Sequence, residues 1–435
     1  MADVEPVAVL LNGKVAGTLH TDRVAHAKFA YADRYLDDRS AVPLSMSLPF
    51  QEEPFRSTAT SRWVEGLLPD NQDVLRRWCS NVGVSPPTPL GLISTRVGHD
   101  CAGAVQFCRA GDEETLLGRP GQVSLLARGE LVREVALMAQ DTARWLPDDE
   151  DAYFSLGGYH AKTTLHQKGG EWGRPSGNIP TTHILKPSPV GLPGQAVVEH
   201  LCLATAQRLG LSAADSEIAV YGDHPAAVIT RFDRTHSRGE WTRIHQEDMC
   251  QTLGYPPAQK YEKGGGPGIA AIGDAIQRYS TYPEADLRKF RDAVLYSWII
   301  VNRDGHARNY SMLIQPGRVR LAPLYDINSA LPFAHKRIGT LQLAMRLGAD
   351  FTVDRAGAND SLLNLSAWLT LPVSETLERA EELVSTIIEA AAAQINSLPS
   401  ALPGAEAVDA FQSRIDKRAA DCLRTVAATK KRIAH

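Results

Sequence analysis

The chain has 435 residues, of which 43% are hydrophobic and 22% are charged, so it is long enough for two or three domain-sized units with buried cores. Its 46 basic and 50 acidic side chains leave a formal net charge of −4. That balance excludes a strong overall attraction to nucleic acid, although it is compatible with a local basic patch. The kind of partner therefore has to be inferred from the candidate site.

Cysteine usage and hydropathy indicate the compartment. The six cysteines are scattered, with no C-x-x-C pair and no histidine spacing typical of a zinc site. We therefore expect reduced, mostly buried thiols at Cys79, Cys101, Cys108, Cys202, Cys250 and Cys422. Residues 1–5 lack a basic segment followed by an apolar run, and no stretch approaches the roughly 18 apolar residues of a membrane helix. We expect a cytoplasmic protein with no membrane partner.

Residues 1–110 are predicted to form an α+β subdomain. Residues 7–20 read VAVLLNGKVAGTLH, two β-rich runs separated by Asn12-Gly13, the dipeptide that favours a type I′ hairpin. Residues 63–78 then show the spacing of a helix that is entered at Pro69-Asp70. Residues 111–150 are predicted to connect this subdomain to the next, because they become polar and lead into PDDED at 147–151.

The remaining chain is predicted to change from sheet to helix. Residues 151–235 contain β-rich segments at 153–167, 183–186 and 226–232, with one helix at about 195–209, which is the order of a kinase small lobe. Residues 236–435 are predicted to be a helical large lobe, with a buried helix at 285–301 and amphipathic helices at 374–398 and 405–433. The glycine-rich EKGGGPG at 262–268 lacks the G-x-x-x-x-G-K-[ST] pattern and is interpreted as a mobile surface loop.

The stretch VNRDGHARNYSMLI at 301–314 contains the residues that indicate a catalytic function most clearly. Phosphoryl transfer requires a carboxylate base and a nearby amide that binds metal, and the four residues between Asp304 and Asn309 reproduce the spacing of a protein-kinase catalytic loop. Asp326 follows 17 residues after Asn309, behind a predicted hairpin that turns at Gln315-Pro316-Gly317, and is placed to supply a second metal ligand. A helix cap or a loop hydrogen bond would explain the spacing alone, but not its combination with Asp326.

Two upstream features complete the kinase pattern. Lys186 ends a strand-like segment and Glu199 follows 13 residues later on a predicted helix, as expected for the lysine that contacts phosphates and the glutamate that holds it. An exposed lysine and an unrelated surface glutamate are the alternative. Gly157-Gly158 lies in a predicted strand–turn–strand, where backbone N–H groups could approach phosphates, although as an isolated feature it would be a simple tight turn.

Taken together, these residues resemble one family, the HipA serine/threonine kinases, which are toxins of bacterial toxin–antitoxin pairs. The likeness covers nearly the whole chain and includes PLSMSLP at 43–49, EGLLPDN at 65–71, DCAGAVQ at 100–106, PTTHILKP at 180–187, ITRFDR at 229–234 and APLYDI at 322–327. The resemblance implies an α+β, two-lobed protein-kinase-like fold with an additional N-terminal α+β subdomain and an all-helical C-terminal lobe.

The resemblance also assigns roles to individual residues. It implies that Asp304 is the catalytic base and that Asn309 and Asp326 bind Mg²⁺. It further implies that Gly157, Gly158 and Lys186 contact ATP and that Thr230, Arg231 and Phe232 form a hinge strand beside the adenine. His306 is expected to shape the catalytic loop rather than to shuttle protons. Ser155 matches a serine whose autophosphorylation switches the enzyme off, since a phosphate adds about −1.5 to −2 charges beside a site for ATP. A plain strand-end hydroxyl is the alternative for Ser155.

One departure from the family concerns the phosphate loop. The family commonly has a small residue and a glutamine between the glycine and the lysine, whereas here Gly158 is followed by Tyr159, His160, Ala161 and Lys162. The departure affects the expected ATP contacts of this loop and leaves the base and the metal ligands untouched.

The resemblance implies partners as well. The first is a protein substrate with a serine or threonine acceptor, whose phosphorylation inhibits growth and which is an aminoacyl-tRNA synthetase in the best-known cases. The second is a HipB-like helix-turn-helix antitoxin, through which DNA is contacted indirectly. The basic end at 430–432 could add to that contact or be a solvated helix end. Two other functions remain open on the residues alone: a small-molecule kinase of the aminoglycoside or lipid type, and a non-catalytic nucleotide-binding co-repressor.

Overall fold

The structure is a computed structural model that describes residues 5–21, 27–85, 87–118, 121–145, 154–237, 239–355 and 360–434. The predicted acidic connection at 147–151 lies outside these residues. In the described part, strands β1 to β17 span Val7–Leu11, Lys14–Thr21, Ala27–Tyr31, Val105–Arg109, Val123–Leu125, Thr163–Lys168, Glu171–Pro175, His183–Pro187, Ser216–Tyr221, His224–Thr230, Arg234–Ser237, Glu240–Arg243, His245–Asp248, Ser311–Gln315, Arg318–Leu321, Gln342–Leu347 and Asp350–Thr352.

Helices α1 to α13 span Asp33–Leu36, Ser57–Gly66, Gln72–Asn81, Pro89–Ile93, Glu113–Gly118, Arg128–Gln140, Gln195–Arg208, Met249–Leu253, Ile269–Tyr279, Pro283–Ile299, Ser361–Trp368, Val373–Asn396 and Ala405–Ile433. The chain divides into two compact units built from separate stretches. Unit 1 comprises Met1–Lys186, Thr230–Ala258 and Ser311–Val319; unit 2 comprises Pro187–Ile229, Gln259–Tyr310 and Arg320–His435. The predicted division into four consecutive segments stays a prediction.

Unit 1 begins with the predicted hairpin. Asn12 and Gly13 both adopt positive φ, 52° and 74°, as a type I′ turn requires, and the antiparallel pairing of β1 with β2 confirms the prediction. The hairpin belongs to an antiparallel sheet in the order β3-β2-β1-β4, in which every residue of β1 is buried. Helix α3 begins at Gln72, with the Asn71 side chain accepting a hydrogen bond from the N–H of Asp73, so the predicted helix is confirmed with an entry slightly later than Pro69-Asp70.

Unit 1 also contains the antiparallel strand order β5-β7-β6-β8. Strand β13 pairs with β14, and β15 lies on the other side of β14. Residues 236–435 are therefore not all-helical as predicted, because they supply β12 to β17 in addition to their helices. Strand β13 has the polar sequence HQED, and hydrophobic patterning does not reveal it.

Unit 2 is mainly helical. Helix α10 starts with Pro283 in its first turn, where the missing N–H is no loss, and carries Glu284 and Asp286 near its positive N-terminal end. It is buried as predicted, and the Tyr296 hydroxyl on it donates to the carbonyl of Cys202 on α7 at 2.7 Å. Helices α7, α12 and α13 also match their predicted positions and pack against one another.

Two expectations from composition can be compared with the described residues. All six cysteines are free and buried, as predicted. No helix in the described ranges is both long enough and apolar enough to span a membrane.

Candidate active site

The candidate catalytic loop follows directly from the end of α10 in unit 2. Val301, just past the helix, has a φ of 57°, a conformation that is costly for a β-branched residue. The Ala330 N–H donates to the Val301 carbonyl at 3.1 Å, and the Ser329 hydroxyl donates to the Ile300 carbonyl at 2.6 Å. These two contacts hold the chain in the sharp reversal that leads into residues 302–309.

Backbone hydrogen bonds then define the loop around Asp304. Its carbonyl accepts the N–H of His306 at 2.8 Å and the side-chain amide Nδ2 of Asn309 at 2.7 Å. Its own N–H donates to the side chain of Asn302 at 3.1 Å. The carboxylate of Asp304 stays accessible, with 49% of the side chain exposed. The residue proposed as the base is thus fixed through its backbone while its acid group reaches solvent.

Asn309 connects this loop to Asp326. Its Nδ2 also donates to the carbonyl of Asp326 at 3.3 Å, so the structure brings Asp304, Asn309 and Asp326 together within unit 2. Asp326 adopts a φ of 53°, an uncommon conformation outside glycine. Because the nitrogen of the Asn309 side chain is committed to two carbonyls, its amide oxygen is the atom left to bind a cation.

This donor set fits Mg²⁺. The ion prefers oxygen ligands and commonly takes only one or two from the protein, with water and phosphate oxygens completing its octahedron. An amide oxygen from Asn309 and a carboxylate from Asp326 meet that requirement. Among the described residues no group of three or more His, Cys, Asp or Glu side chains is arranged to hold a metal.

His306 is buried beside the base. Burial lowers the pKa of His306 to about 4, with the Asp304 carboxylate opposing that shift, so the ring is neutral at pH 7. Its Nε2 lies 3.6 Å from Oδ1 of Asp304, while Nδ1 is buried with no hydrogen-bond partner in the described chain. The ring proton is therefore assigned to Nε2, facing the carboxylate. A neutral, buried ring suits the predicted task of shaping the loop, which remains a prediction.

Sequence reasoning missed Tyr261. Its hydroxyl donates to Oδ1 of Asp304 at 2.5 Å, and its ring meets His306 edge-on, with centroids 4.9 Å apart. Tyr261 directly precedes the glycine-rich segment, which lies at the surface as predicted and forms a 3₁₀ turn over Glu262–Gly264. The available signal was that glycine-rich sequence, which had no ligand pattern of its own.

The predicted phosphate loop belongs to unit 1. Ser155 is 0% exposed; its hydroxyl donates to the carbonyl of Leu67 at 2.7 Å, and its backbone N–H donates to the backbone carbonyl of Asp100 at 2.9 Å. Gly158 has a φ of 111°, which favours glycine, and its carbonyl accepts the N–H of Asp70 at 2.9 Å. Ser155 thus joins the loop to two other segments of unit 1, and its autophosphorylation remains a prediction.

Lys162 stabilises the same loop from within. Its Nζ donates to the carbonyl of Gly157 at 2.8 Å and lies 4.6 Å from the ring centroid of Trp145. A Cβ added at Gly158 would come within 2.4 Å of that nitrogen, so a larger residue would displace it. Tyr159, the bulky departure from the family pattern, is 59% exposed.

Lys186 is 7% exposed on β8 of unit 1, and Glu199 is 5% exposed on α7 of unit 2. Their burial excludes the alternative of an exposed lysine and a surface glutamate. Since the two residues belong to different units, their pairing remains a prediction.

The residues predicted to form the hinge strand, Thr230, Arg231 and Phe232, begin at the last residue of β10. The side chain of Arg231 belongs to a buried ionic network of unit 1 that also contains Asp100, Asp233, Arg234 and Arg243. Arg231 contacts Asp233 at 2.8 Å and Asp100 at 3.3 Å. Burial alone would raise the pKa of Asp100, but Arg234, Arg231 and Arg243 outweigh it and hold that pKa well below its usual range. The guanidinium of Arg231 is therefore engaged in this network, and the contact of residues 230–232 with adenine remains a prediction.

Comparison with known proteins gives consistent results. Residues 154–397 match the HipA-like C-terminal domain and residues 7–108 match the HipA N-terminal domain. The chain is 34% identical over 82% of its length to the putative kinase Y4mE of Sinorhizobium fredii, of which 84% is covered. It is 27% identical over 73% of its length to the serine/threonine-protein kinase toxin HipA of Shewanella oneidensis, of which 74% is covered.

Among solved structures, the chain is similar to one described as the Shewanella oneidensis MR-1 toxin–antitoxin system HipA, HipB and operator DNA complex. The TM-score is 0.79 at 24% identity, with 97% of this chain and 96% of that chain covered. This likeness confirms the predicted α+β, kinase-like fold.

Proposed function

The chain belongs to the HipA family of kinases, and from that premise we propose that it transfers the γ-phosphoryl group of Mg²⁺-ATP to a serine or threonine hydroxyl of a protein. The observation that carries the proposal is the junction at Asn309, whose side-chain amide bonds the backbones of both Asp304 and Asp326. This junction joins the backbones of three residues with oxygen-bearing side chains, which supports assigning them to one site. That combination meets the positioning requirement of phosphoryl transfer.

In this proposal Asp304 is the catalytic base. Its half-exposed carboxylate accepts the hydrogen bond of the incoming hydroxyl, orients it and takes its proton as the oxygen bonds to the γ-phosphorus and the bond from that phosphorus to the leaving ADP breaks. Asn309 and Asp326 hold Mg²⁺ through oxygen atoms, and bound Mg²⁺ supplies the positive charge that offsets the negative charge of the phosphates. Lys186 contacts the ATP phosphates, and the backbone at Gly157 and Gly158 covers them.

The test is a set of isosteric amide variants. Asp304→Asn should lower transfer of labelled phosphate from ATP to casein by about 10²- to 10⁴-fold, the usual contribution of a general base. Asp326→Asn should lower the rate as well and raise the Mg²⁺ concentration needed for half of the maximal rate. Asp274→Asn, which changes an exposed aspartate on α9 of the same unit, is the matched control and should be unchanged.

Each outcome has a clear consequence. If Asp304→Asn is as active as the wild type while both are folded, the assignment of the base is wrong. If labelled phosphate appears only in small metabolites of a cell extract and never in protein, the chain is a small-molecule kinase instead. If the wild type labels nothing in the presence of Mg²⁺-ATP, a non-catalytic nucleotide-binding role is favoured.

We further propose that this kinase is controlled by a helix-turn-helix antitoxin of the HipB kind. Support comes from the similar solved structure, whose description names HipA, HipB and operator DNA together. With a net charge of −4 the chain itself has no overall attraction to DNA, so DNA contact would depend on the partner. Co-expression with the protein encoded next to it should give a stable complex that shifts operator DNA in a gel, whereas the chain alone should not.

The cellular consequence proposed is growth inhibition through phosphorylation of a translation protein, and aminoacyl-tRNA synthetases are the first targets to test. Phosphoproteomics of cells that express the wild type, compared with cells that express Asp304→Asn, would identify the acceptor. Sites that appear in both samples are not substrates of this active site.

A further inference from the structure

The segment that begins at Lys260 lies against the candidate catalytic loop, and none of the roles above uses it. Both belong to unit 2, and the N–H of Ala307 donates to the carbonyl of Lys260 at 3.3 Å, which joins the two segments through their backbones. Next to that bond, the hydroxyl of Tyr261 donates to Oδ1 of Asp304 at 2.5 Å. The group proposed as the base is therefore already bonded by a side chain 43 residues earlier in the sequence.

Tyr261 is held from several directions. Its carbonyl accepts the N–H groups of Gly264 at 3.0 Å and Gly266 at 3.1 Å, which closes a compact turn directly behind it. Its ring meets His306 edge-on at 4.9 Å between centroids, and Nζ of Lys260 lies 5.5 Å from the ring centroid. The side chain is 38% exposed, but the backbone bonds and the contact with His306 limit the positions that the hydroxyl can adopt.

The glycines make this turn possible. A Cβ added at Gly266 would lie 1.8 Å from the carbonyl oxygen of Gln259, and one at Gly268 would lie 2.4 Å from the carboxyl carbon of Glu262. Glu262 in turn accepts the backbone N–H of Arg346 at 2.7 Å and its guanidinium at 2.8 Å. The glycine-rich sequence is thus accounted for by close packing around Tyr261 and Glu262, without a phosphate ligand.

The two oxygens of the Asp304 carboxylate have different surroundings. Oδ1 accepts the Tyr261 hydroxyl and faces Nε2 of His306 at 3.6 Å. Oδ2 accepts no hydrogen bond from the residues that the structure describes, and the side chain is 49% exposed. An exposed aspartate without such a bond would populate several rotamers, whereas anchoring one oxygen fixes the direction of the other.

We propose that Tyr261 is a positioning residue, which holds Oδ1 of Asp304 so that Oδ2 is presented to the acceptor hydroxyl. The inference rests on the proposed kinase function, since it assigns a task to the same base. Positioning of this kind matters because a misplacement of about 1 Å at the reacting groups can cost roughly 100-fold in rate. The Lys260–Gly268 segment then serves as the support of the base.

The test is Tyr261→Phe, which removes one oxygen and keeps the ring against His306. With casein as acceptor, kcat should fall by roughly 10- to 100-fold, while KM for ATP and for casein stays within about twofold, because only the aim of the base is lost. Tyr282→Phe is the matched control, because this tyrosine of unit 2 is 57% exposed and its ring lies beside Arg320. The activity of the Tyr282→Phe variant should equal that of the wild type. Unfolding midpoints of both variants establish that they are folded.

A double variant separates positioning from a general structural effect. If Tyr261 acts through Asp304, then Tyr261→Phe in the Asp304→Asn background should cause no further loss, because the group it orients is already gone. A further loss of the same size as in the wild type would overturn the inference.

The remaining outcomes are also decisive. An unchanged kcat for Tyr261→Phe, measured beside an active wild type, overturns this inference and leaves the kinase assignment standing. A higher kcat with a lower KM for casein also overturns it, since the hydroxyl would then be a competitor of the acceptor. A wild type that phosphorylates nothing removes the proposed function, and this inference with it.

Discussion

Replacing Glu247 with glutamine should remove a pH-dependent loss of stability in unit 1. Glu247 is 1% exposed on β13, and its carboxylate accepts the hydroxyl of Ser45 and the N–H of Met46, the latter at 2.9 Å. Burial raises the pKa of Glu247 from 4.5 to about 7, because the hydrogen bonds from Ser45 and Met46 offset only part of the cost of burying charge. The residue is therefore an acid that resists ionisation in the folded state.

The direction and size of this effect on stability follow from the difference in proton binding between the folded and unfolded states. The folded state binds the proton more tightly than the unfolded state, so this contribution to stability is complete below pH 4.5 and is lost as the pH rises through about 7. The folded and unfolded pKa values differ by about 2.5, and a difference of one in pKa corresponds to about 1.4 kcal/mol, so the largest effect on the free energy of unfolding is roughly 3 kcal/mol. Glutamine stays neutral at every pH and keeps an oxygen to accept the N–H of Met46.

The assay is urea unfolding of the wild type and of Glu247→Gln between pH 5 and pH 8.5, with Glu53→Gln as an exposed control in the same unit. Near pH 5 the free energies of unfolding should be nearly equal, and above pH 7 the Glu247→Gln variant should be more stable. Other titrating groups cancel, because both proteins contain them. A difference between the two proteins that stays constant over the whole range would refute the reasoning.

Two further predictions concern unit 1. Asp100→Asn should lower the free energy of unfolding by about 3–5 kcal/mol, because it leaves three arginines of the buried network with one carboxylate, Asp233, in place of two. Urea unfolding measures this, and a loss below about 1 kcal/mol would contradict it. Ser155→Ala should abolish self-phosphorylation at that residue, seen by mass spectrometry of the intact protein, while casein is still phosphorylated. The substitution should also lower the free energy of unfolding by about 1 kcal/mol through the lost hydrogen bond to Leu67. Persistent phosphorylation of the same peptide in Ser155→Ala would show that another residue is the acceptor.

Local chemistry explains what the sequence predicted well. Asn12-Gly13 specifies a hairpin because few dipeptides tolerate two successive positive φ angles. The spacing of Asp304 and Asn309 is equally local: a 3₁₀ turn over Ala307–Asn309 brings the side chain of Asn309 back to the carbonyl of Asp304. Such features are encoded within a few residues, and a single sequence is sufficient to find them.

Contacts between distant segments could not be predicted in this way. Arg231 reads as part of a strand next to the adenine, yet its guanidinium is bonded to Asp100, which lies 131 residues earlier. Tyr261 was equally hidden, since nothing in the sequence around it indicates a bond to Asp304. Strand β13 was missed for a related reason: its buried Glu247 is compensated by Ser45 from a remote segment, and hydrophobic patterning assigns buried acids to the surface.

Asp326 in unit 2 combines an uncommon backbone conformation with a place in the candidate site. Within the described residues, positive φ outside glycine occurs at Asn12, Val301, Asp326 and Thr370. Asn12 is explained by its turn. Val301 and Thr370 directly follow the ends of α10 and α11, where a left-handed residue commonly closes a helix, whereas Asp326 lies in the candidate site. Such conformations cost of order 1–3 kcal/mol each and persist only where surrounding contacts enforce them. Ala330 supplies such a contact at Val301 and Ser329 at the neighbouring Ile300, and the amide of Asn309 bonds the carbonyl of Asp326. Because the same amide also holds Asp304, the strain at Asp326 and the position of the base depend on one side chain.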